Sequence, residues 1–481
     1  MPRYQVYMWL LTGTWGLFVF AFGACVGSLI NVVAYRMPKG LSIVRPPSRC
    51  PSCATKLGWR DNIPILGWIV LRGRCRYCAT RISPQYPIVE AAVASLFLLF
   101  FVAFLGIDRG ASLAGVDIGL VRPEWALNEV RLIWPAFLVV LALIGSLSAM
   151  TLVDAKTFTI PLVLAWFPAV LAVIVHPAHA AWIEFASPYG RLPRVAEHEV
   201  WSIATPGLGG WEWIGGSIGG VIGIGVSCVL VATGVLKRSF ADYDEWERKA
   251  LAQANGPQAS PPPPDSTGVS SASTEPQALP QAPVEAAVAT AEPPSAPTPD
   301  AQAELWIQYP YARREVLREI LFLAPCLALG FVGMKIATHY AGPWTLNAFT
   351  GDWTPAREAP LWLTVLGGVL MGYLIGGGVV WGIRILGSLA FGKEAMGMGD
   401  VHLMAGVGAC LGWIDAVLAF FLAAFVGVFW AIVSQLFSGK LRRQMPYGPF
   451  LAIATVLVLL TKPLLESLLG RLTGAGWVDL P

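Results

Sequence analysis

The chain has 481 residues, of which 55% are hydrophobic and only 13% charged, with a mean hydropathy of +0.60. A soluble domain carries roughly a quarter charged residues, so this composition excludes a conventional cytosolic enzyme, a disordered protein and a nucleic-acid binder with a strong basic field. The formal charge of +3 is too small to name a partner, and where the charges sit matters more than their sum.

A bilayer core takes about 20 apolar residues to cross. The first such stretch is 9–35. Within it, Phe22-Gly23-Ala24-Cys25 faintly resembles a lipoprotein processing site. The apolar pattern runs on to Val33, however, and cleavage there would cut a span in half, so a removable leader is not expected. Residues 36–87 form a loop with Lys or Arg at ten positions against the single acid Asp61. Spans are predicted at 88–106, at 132–153 (closed by Asp154), at 160–176 and at 213–236. From 251 to 304 the chain holds 12 of its 37 prolines, with no aromatic residue, Lys or Arg. Such a Pro/Ala/Ser stretch buries too little apolar area to offset its ordering entropy and reads as a disordered insertion. Beyond it, spans are predicted at 317–338, 361–391, 401–413, 416–437 and 448–466. The 401–413 stretch is short for a crossing and is expected to be tilted or to line a cavity. Asp400 stands just before it, in Met396-Gly397-Met398-Gly399-Asp400-Val401-His402.

The fold class expected is therefore an all-α polytopic membrane protein of roughly 8–10 transmembrane helices, with a small four-cysteine module. Its divisions are 1–37, 38–87, 88–238, an insertion over 239–315, and 316–481. Cations gather in the 36–87 loop, at Lys237 and Arg238, and at Lys440, Arg442 and Arg443, while the alternate loops are poor in them. By the positive-inside rule the cysteine-rich loop is cytoplasmic.

Cys50-Pro51-Ser52-Cys53 and Cys75-Arg76-Tyr77-Cys78 are two C-x-x-C knuckles about 20 residues apart, the spacing of a four-thiolate zinc site. Redox-active dithiols are the alternative, but a pair of knuckles in a reducing loop favours zinc. With all four ligands from protein the metal is structural, because catalysis needs an open coordination position. Cys25, Cys228, Cys326 and Cys410 sit singly in apolar spans and are expected only to pack.

Acids at span ends are costly and need a reason. Asp154 and Asp400 fall on the same face by the alternation of spans. Two aspartates at one site can share a proton, one activating water while the other serves as acid, which suits peptide hydrolysis without a covalent intermediate. The bland reading is that each merely sits in headgroup water. Glu90 and Glu394 are competing boundary acids, and His402 reads as a polar neighbour of Asp400.

The ordered set of motifs resembles one family, the type IV prepilin peptidases. It comprises Gly27-Ser28-Leu29-Ile30-Asn31, the four cysteines with Asp61-Asn62-Ile63-Pro64, Ile82-Ser83-Pro84-Gln85-Tyr86-Pro87, and Asp154 with Ile160-Pro161. It ends with Gly397-Met398-Gly399-Asp400 and Pro446-Tyr447-Gly448-Pro449. The resemblance implies that Asp154 and Asp400 are a catalytic aspartyl pair. It also implies that the enzyme cuts the leaders of prepilin and pseudopilin precursors at the cytoplasmic face of the bacterial inner membrane. Relatives with the four-cysteine loop are usually bifunctional and also N-methylate the new terminus with S-adenosylmethionine. His402 stands where the family usually has lysine, and the sequence offers no glycine-rich strand-to-helix loop to mark a methyl-donor pocket. A transporter with proton-relaying boundary acids is the competing class, but the chain lacks two matching halves. A zinc-stabilised scaffold is the other.

Overall fold

The computed structural model describes residues 3–107, 110–113, 116–128, 130–185, 200–207, 209–254, 309–346, 353–438 and 446–473. Most of the Pro/Ala/Ser stretch (255–308) and the cations Lys440, Arg442 and Arg443 lie outside the described residues.

The helices in chain order are α1 (Arg3–Arg36), α2 (Leu66–Val70), α3 (Gln85–Phe101, prolonged by a π turn Val102–Gly106), α4 (Val130–Thr157), α5 (Leu162–Phe185) and α6 (Trp211–Ala232). They continue as α7 (Tyr243–Ala254), α8 (Ala312–Ala341), α9 (Leu361–Phe391), α10 (Met398–Leu411), α11 (Trp413–Ser438) and α12 (Gly448–Thr473). Two small antiparallel hairpins, β1 (Ser112–Leu113) with β2 (Val116–Asp117) and β3 (Trp344–Leu346) with β4 (Trp353–Pro355), lie in connecting loops. Among the described residues, nine helices are long and apolar enough to cross a membrane. This is an all-α polytopic membrane fold.

The short span before residue 413 resolves into α10, an apolar helix of 14 residues. At 1.5 Å per residue it is only about 21 Å long. It is buried from Leu403 through Leu411 and packs against α4, α5, α9, α11 and α12. Its position inside protein rather than lipid explains why a segment too short to span is tolerated. Small residues make the enclosure possible. A side chain at Gly376 of α9 would stand 2.5 Å from the Met404 carbonyl, and Gly372 faces Gly408 in the same seam. A second seam joins α6 to α8, where Gly215, Gly219 and Gly223 meet the carbonyls of Gly333, Leu329 and Pro325. In lipid no hydrophobic effect drives helices together, so this backbone-to-backbone approach supplies the packing. The main core gathers around α4, with Phe97, Phe100, Ile133, Leu143 and Met404 fully buried.

The 239–315 segment departs from the expectation of disorder at both its ends. Residues 243–254 are helical, and Phe240, Tyr243, Tyr309 and Ala312 form a small buried cluster. Four aromatic rings (with Trp246) concentrate in these flanks, so they bury the apolar area that the Pro/Ala/Ser stretch lacks.

Candidate active site and metal centre

Asp154 lies in the last turn of α4, and Asp400 in the first turn of α10. Both are buried, at 5% and 8% exposure. The helix carrying Asp154 stops because Phe158 takes a left-handed conformation (φ +53°) and Pro161 follows three residues later. Proline excludes the helical conformation at the residue before it, so Ile160 begins a new direction for the chain. Ile160 then fills the space beside Gly399: a β-carbon at Gly399 would lie 2.8 Å from the Ile160 Cβ. Any larger residue beside Asp400 would push the two segments apart.

A third segment completes the site. The Gly448 N–H donates to Asp154 Oδ2 at 3.2 Å, and a β-carbon at Gly448 would lie 2.7 Å from the same oxygen. Next to it, the Tyr447 phenol is pushed up to about 12, first by burial and then by the Asp400 carboxylate. The three segments 154–161, 397–400 and 446–449, nearly 300 residues apart at the extremes, thus converge on one buried pair of carboxylates. The pair can hold one proton between them, since two adjacent buried carboxylates do not ionise together.

The four cysteines also converge. The Sγ atoms of Cys50, Cys53, Cys75 and Cys78 all lie within 4.8 Å of one another, and Cys50 and Cys78 are 3.8 Å apart. A Zn–S bond of about 2.3 Å implies a tetrahedral edge of about 3.8 Å, so the donor set fits a metal of that size. The two knuckles are copies of each other. In the first, the Cys50 N–H bonds to Thr55 and the Ala54 N–H to Cys50. In the second, Cys75 bonds to Thr80 and Ala79 to Cys75, and both alanines sit at φ +55°. Each is an Arg-Cys-x-x-Cys-Ala-Thr unit, a repeat visible in the sequence that the knuckle spacing alone does not capture. The Cys78 thiol is brought down to about 6, chiefly by its hydrogen bond with the Thr80 side chain, and backbone N–H groups of Cys53 and Ser52 lower Cys50.

The module is fastened to the helices around it. Glu90 of α3 accepts the Ile65 N–H at 2.6 Å and Asn31 of α1 donates to the Tyr86 carbonyl at 3.1 Å, while Arg76 pairs with Asp61 at 2.7 Å within the module itself.

The comparisons with known proteins follow the same two centres. Residues 21–104 match the Bacterial Peptidase A24 N-terminal domain, and residues 320–432 match the Type IV leader peptidase family. Similar proteins named "Prepilin leader peptidase/N-methyltransferase" occur in Myxococcus xanthus (53% identical over 81 residues, 17% of this chain and 24% of the relative) and Klebsiella pneumoniae (45% over 91 residues, 18% and 40%). Another, in Pectobacterium carotovorum, is 33% identical over 160 residues, 29% of this chain and 48% of the relative.

Two stretches of the chain are thus similar to domains of the type IV prepilin peptidase family.

The chain spans from about a quarter to about half the length of these curated relatives. No solved structure matches it significantly. Both family matches leave out Asp154 and the 446–449 loop, so the pairing of Asp154 with Asp400 rests on the geometry of this chain. The other boundary groups of the chain take partners of their own. Glu90 supports the cysteine module, and Glu394 is bound by Arg384 at 2.5 Å. His402 turns to Trp166, whose indole N–H reaches its Nδ1 at 3.4 Å. Arg384, 1% exposed, went unnoticed in the sequence because it looks like a lone cation inside an apolar span. An intramembrane charge of that kind is itself the signal that could have found it.

Proposed function

We propose that the chain is a membrane aspartyl endopeptidase that removes the leaders of prepilin and pseudopilin precursors. The observation that carries this reading is the meeting of Asp154, Asp400 and Gly448 at one buried site. In the reaction, the ionised carboxylate of the pair takes a proton from water, and the resulting hydroxide adds to the scissile carbonyl carbon. The protonated carboxyl gives its proton to the carbonyl oxygen. Collapse of the tetrahedral intermediate breaks the C–N bond: the departing amine takes up the proton first removed from water, and one hydroxyl of the intermediate returns its proton to the other carboxylate, which restores the pair. The cation-rich loop 36–87 supports a cytoplasmic orientation of this face, in the bacterial inner membrane.

The four thiolates would hold a structural zinc ion, which would fix the 45–82 loop in one fold. In the bifunctional reading, the same protein then methylates the new terminal amine from S-adenosylmethionine. The test is incubation of the detergent-purified chain with a prepilin, with and without S-adenosylmethionine, followed by mass spectrometry of the product terminus. Loss of the leader in both arms and a gain of one methyl group in the second are expected. An uncut precursor in both would overturn the proposal, and cleavage without the methyl would limit it to the peptidase.

A further inference from the structure

Arg384 is the centre of a buried ionic network on the side of α9 facing α8. Its Nε donates to Glu319 Oε1 at 2.9 Å, and its NH1 donates to Glu394 and to the Met396 carbonyl. Glu319 is in turn held by the Trp381 indole N–H and the Ser239 hydroxyl, both at 3.1 Å. One helical turn earlier, the fully buried Glu315 accepts the Phe240 N–H at 3.1 Å and both contacts of Arg318 at 2.7 Å. The Phe240 ring lies 5.4 Å from the Arg384 guanidinium.

The network reaches, through Arg384, the six residues that lead into Asp400. Gly392 is gripped through its carbonyl by the Tyr309 N–H at 2.8 Å. Ala395 is gripped by the Ser388 hydroxyl at 3.2 Å, and Glu394 and Met396 by Arg384. One of the gripping groups, Tyr309, comes from one flank of the 239–315 segment, and Phe240 of the other flank lies against Arg384 and Glu315. Tyr309 is tied to Asp242 at 2.7 Å, so the flanks close on each other as well. A buried guanidinium fork spanning two carboxylates and a carbonyl fixes direction in a way a single-point ammonium cannot.

We propose that Arg384 is a positioning residue for Asp400, and that the folded flanks of the 239–315 segment form the clamp that keeps Arg384 and the 392–397 loop in place. The proposal rests on the reading of Asp400 as a catalytic acid–base group. In this chain, then, both flanks of the long insertion are tied to the residues that lead into Asp400.

The experiment uses the full chain in detergent, with Arg384→Lys, Glu394→Gln and the double variant, and reads two things. One is kcat and KM for leader cleavage, and the other is amide hydrogen exchange over 392–400 with α4 as internal control. We expect each single variant to lose about 10–100-fold in kcat with KM within about twofold. The double variant should lose little more than the worse single, because the residues act as one unit. Exchange over 392–400 should accelerate while α4 stays protected. Unchanged kcat in both single variants would overturn the proposal. So would a rise in KM alone, which would place Arg384 on the substrate, or acceleration spread equally over α4, which would make it a general folding residue. If the wild type does not cleave, the catalytic reading fails by itself, and unaltered exchange over 392–400 would then remove the clamp too.

Discussion

Asp154 and Asp400 reach their common site from opposite ends of their helices, so neither can be replaced by a neighbour one turn away without leaving the site. Asp154→Asn and Asp400→Asn are each expected to lower leader cleavage by about 100–10,000-fold, because an amide can neither take a proton from water nor return one. Normal membrane insertion and zinc content would confine the effect to chemistry, and full cleavage by either variant would remove that residue from the mechanism. Gly448 offers a gentler probe. An added methyl 2.7 Å from Asp154 Oδ2 forces the carboxylate to shift and strains the N–H contact that orients it. For Gly448→Ala we expect about a 10–100-fold loss in kcat with little change in KM, measured on the purified protein.

Among the helices and loops, the cysteine module is the most separable unit. Cys75→Ser removes one of four thiolates and should release the metal and loosen the 45–82 loop. Both carboxylates remain, so cleavage should fall several-fold rather than vanish, and methylation should suffer more. Metal content per chain beside both activities checks this; a variant without zinc that methylates normally would contradict it. The apolar runs were the readable part of the sequence: the 361–391 prediction coincides with α9. The predicted 160–176 span stopped nine residues before the end of α5, because His176, Pro177 and His179 interrupt the hydropathy while the helix continues through them. The short motifs around Asp154 and Asp400 mark the helix ends on which the two acids sit. Gly448, which bonds to Asp154, lies 294 residues from it, and Glu319 lies 65 from Arg384. Contacts over such separations depend on how helices stack, which no local pattern encodes.

For the protein as a whole, the prediction concerns what can be removed. Deleting 255–300 spares every residue of the clamp and should leave leader cleavage within about twofold, since loop-closure entropy changes slowly with length. Extending the deletion to 239–315 removes Phe240, Tyr309 and Glu315, and should cost most of the activity. Comparing the two deletions in one cleavage assay separates filler from anchor. Equal activity would show the flanks to be dispensable.

The pairing of Asp242 with Tyr309 has a practical meaning of its own. The two flanks of the 239–315 segment are held to each other by a 2.7 Å bond and by four aromatic rings in edge-on and tilted contact. Anything inserted between residues 255 and 308 would be flanked on both sides by this paired junction. A compact foreign domain whose own termini lie close together, such as a fluorescent reporter, could therefore be spliced there as cargo. It would turn this membrane protein into one that can be followed in living cells by its own light.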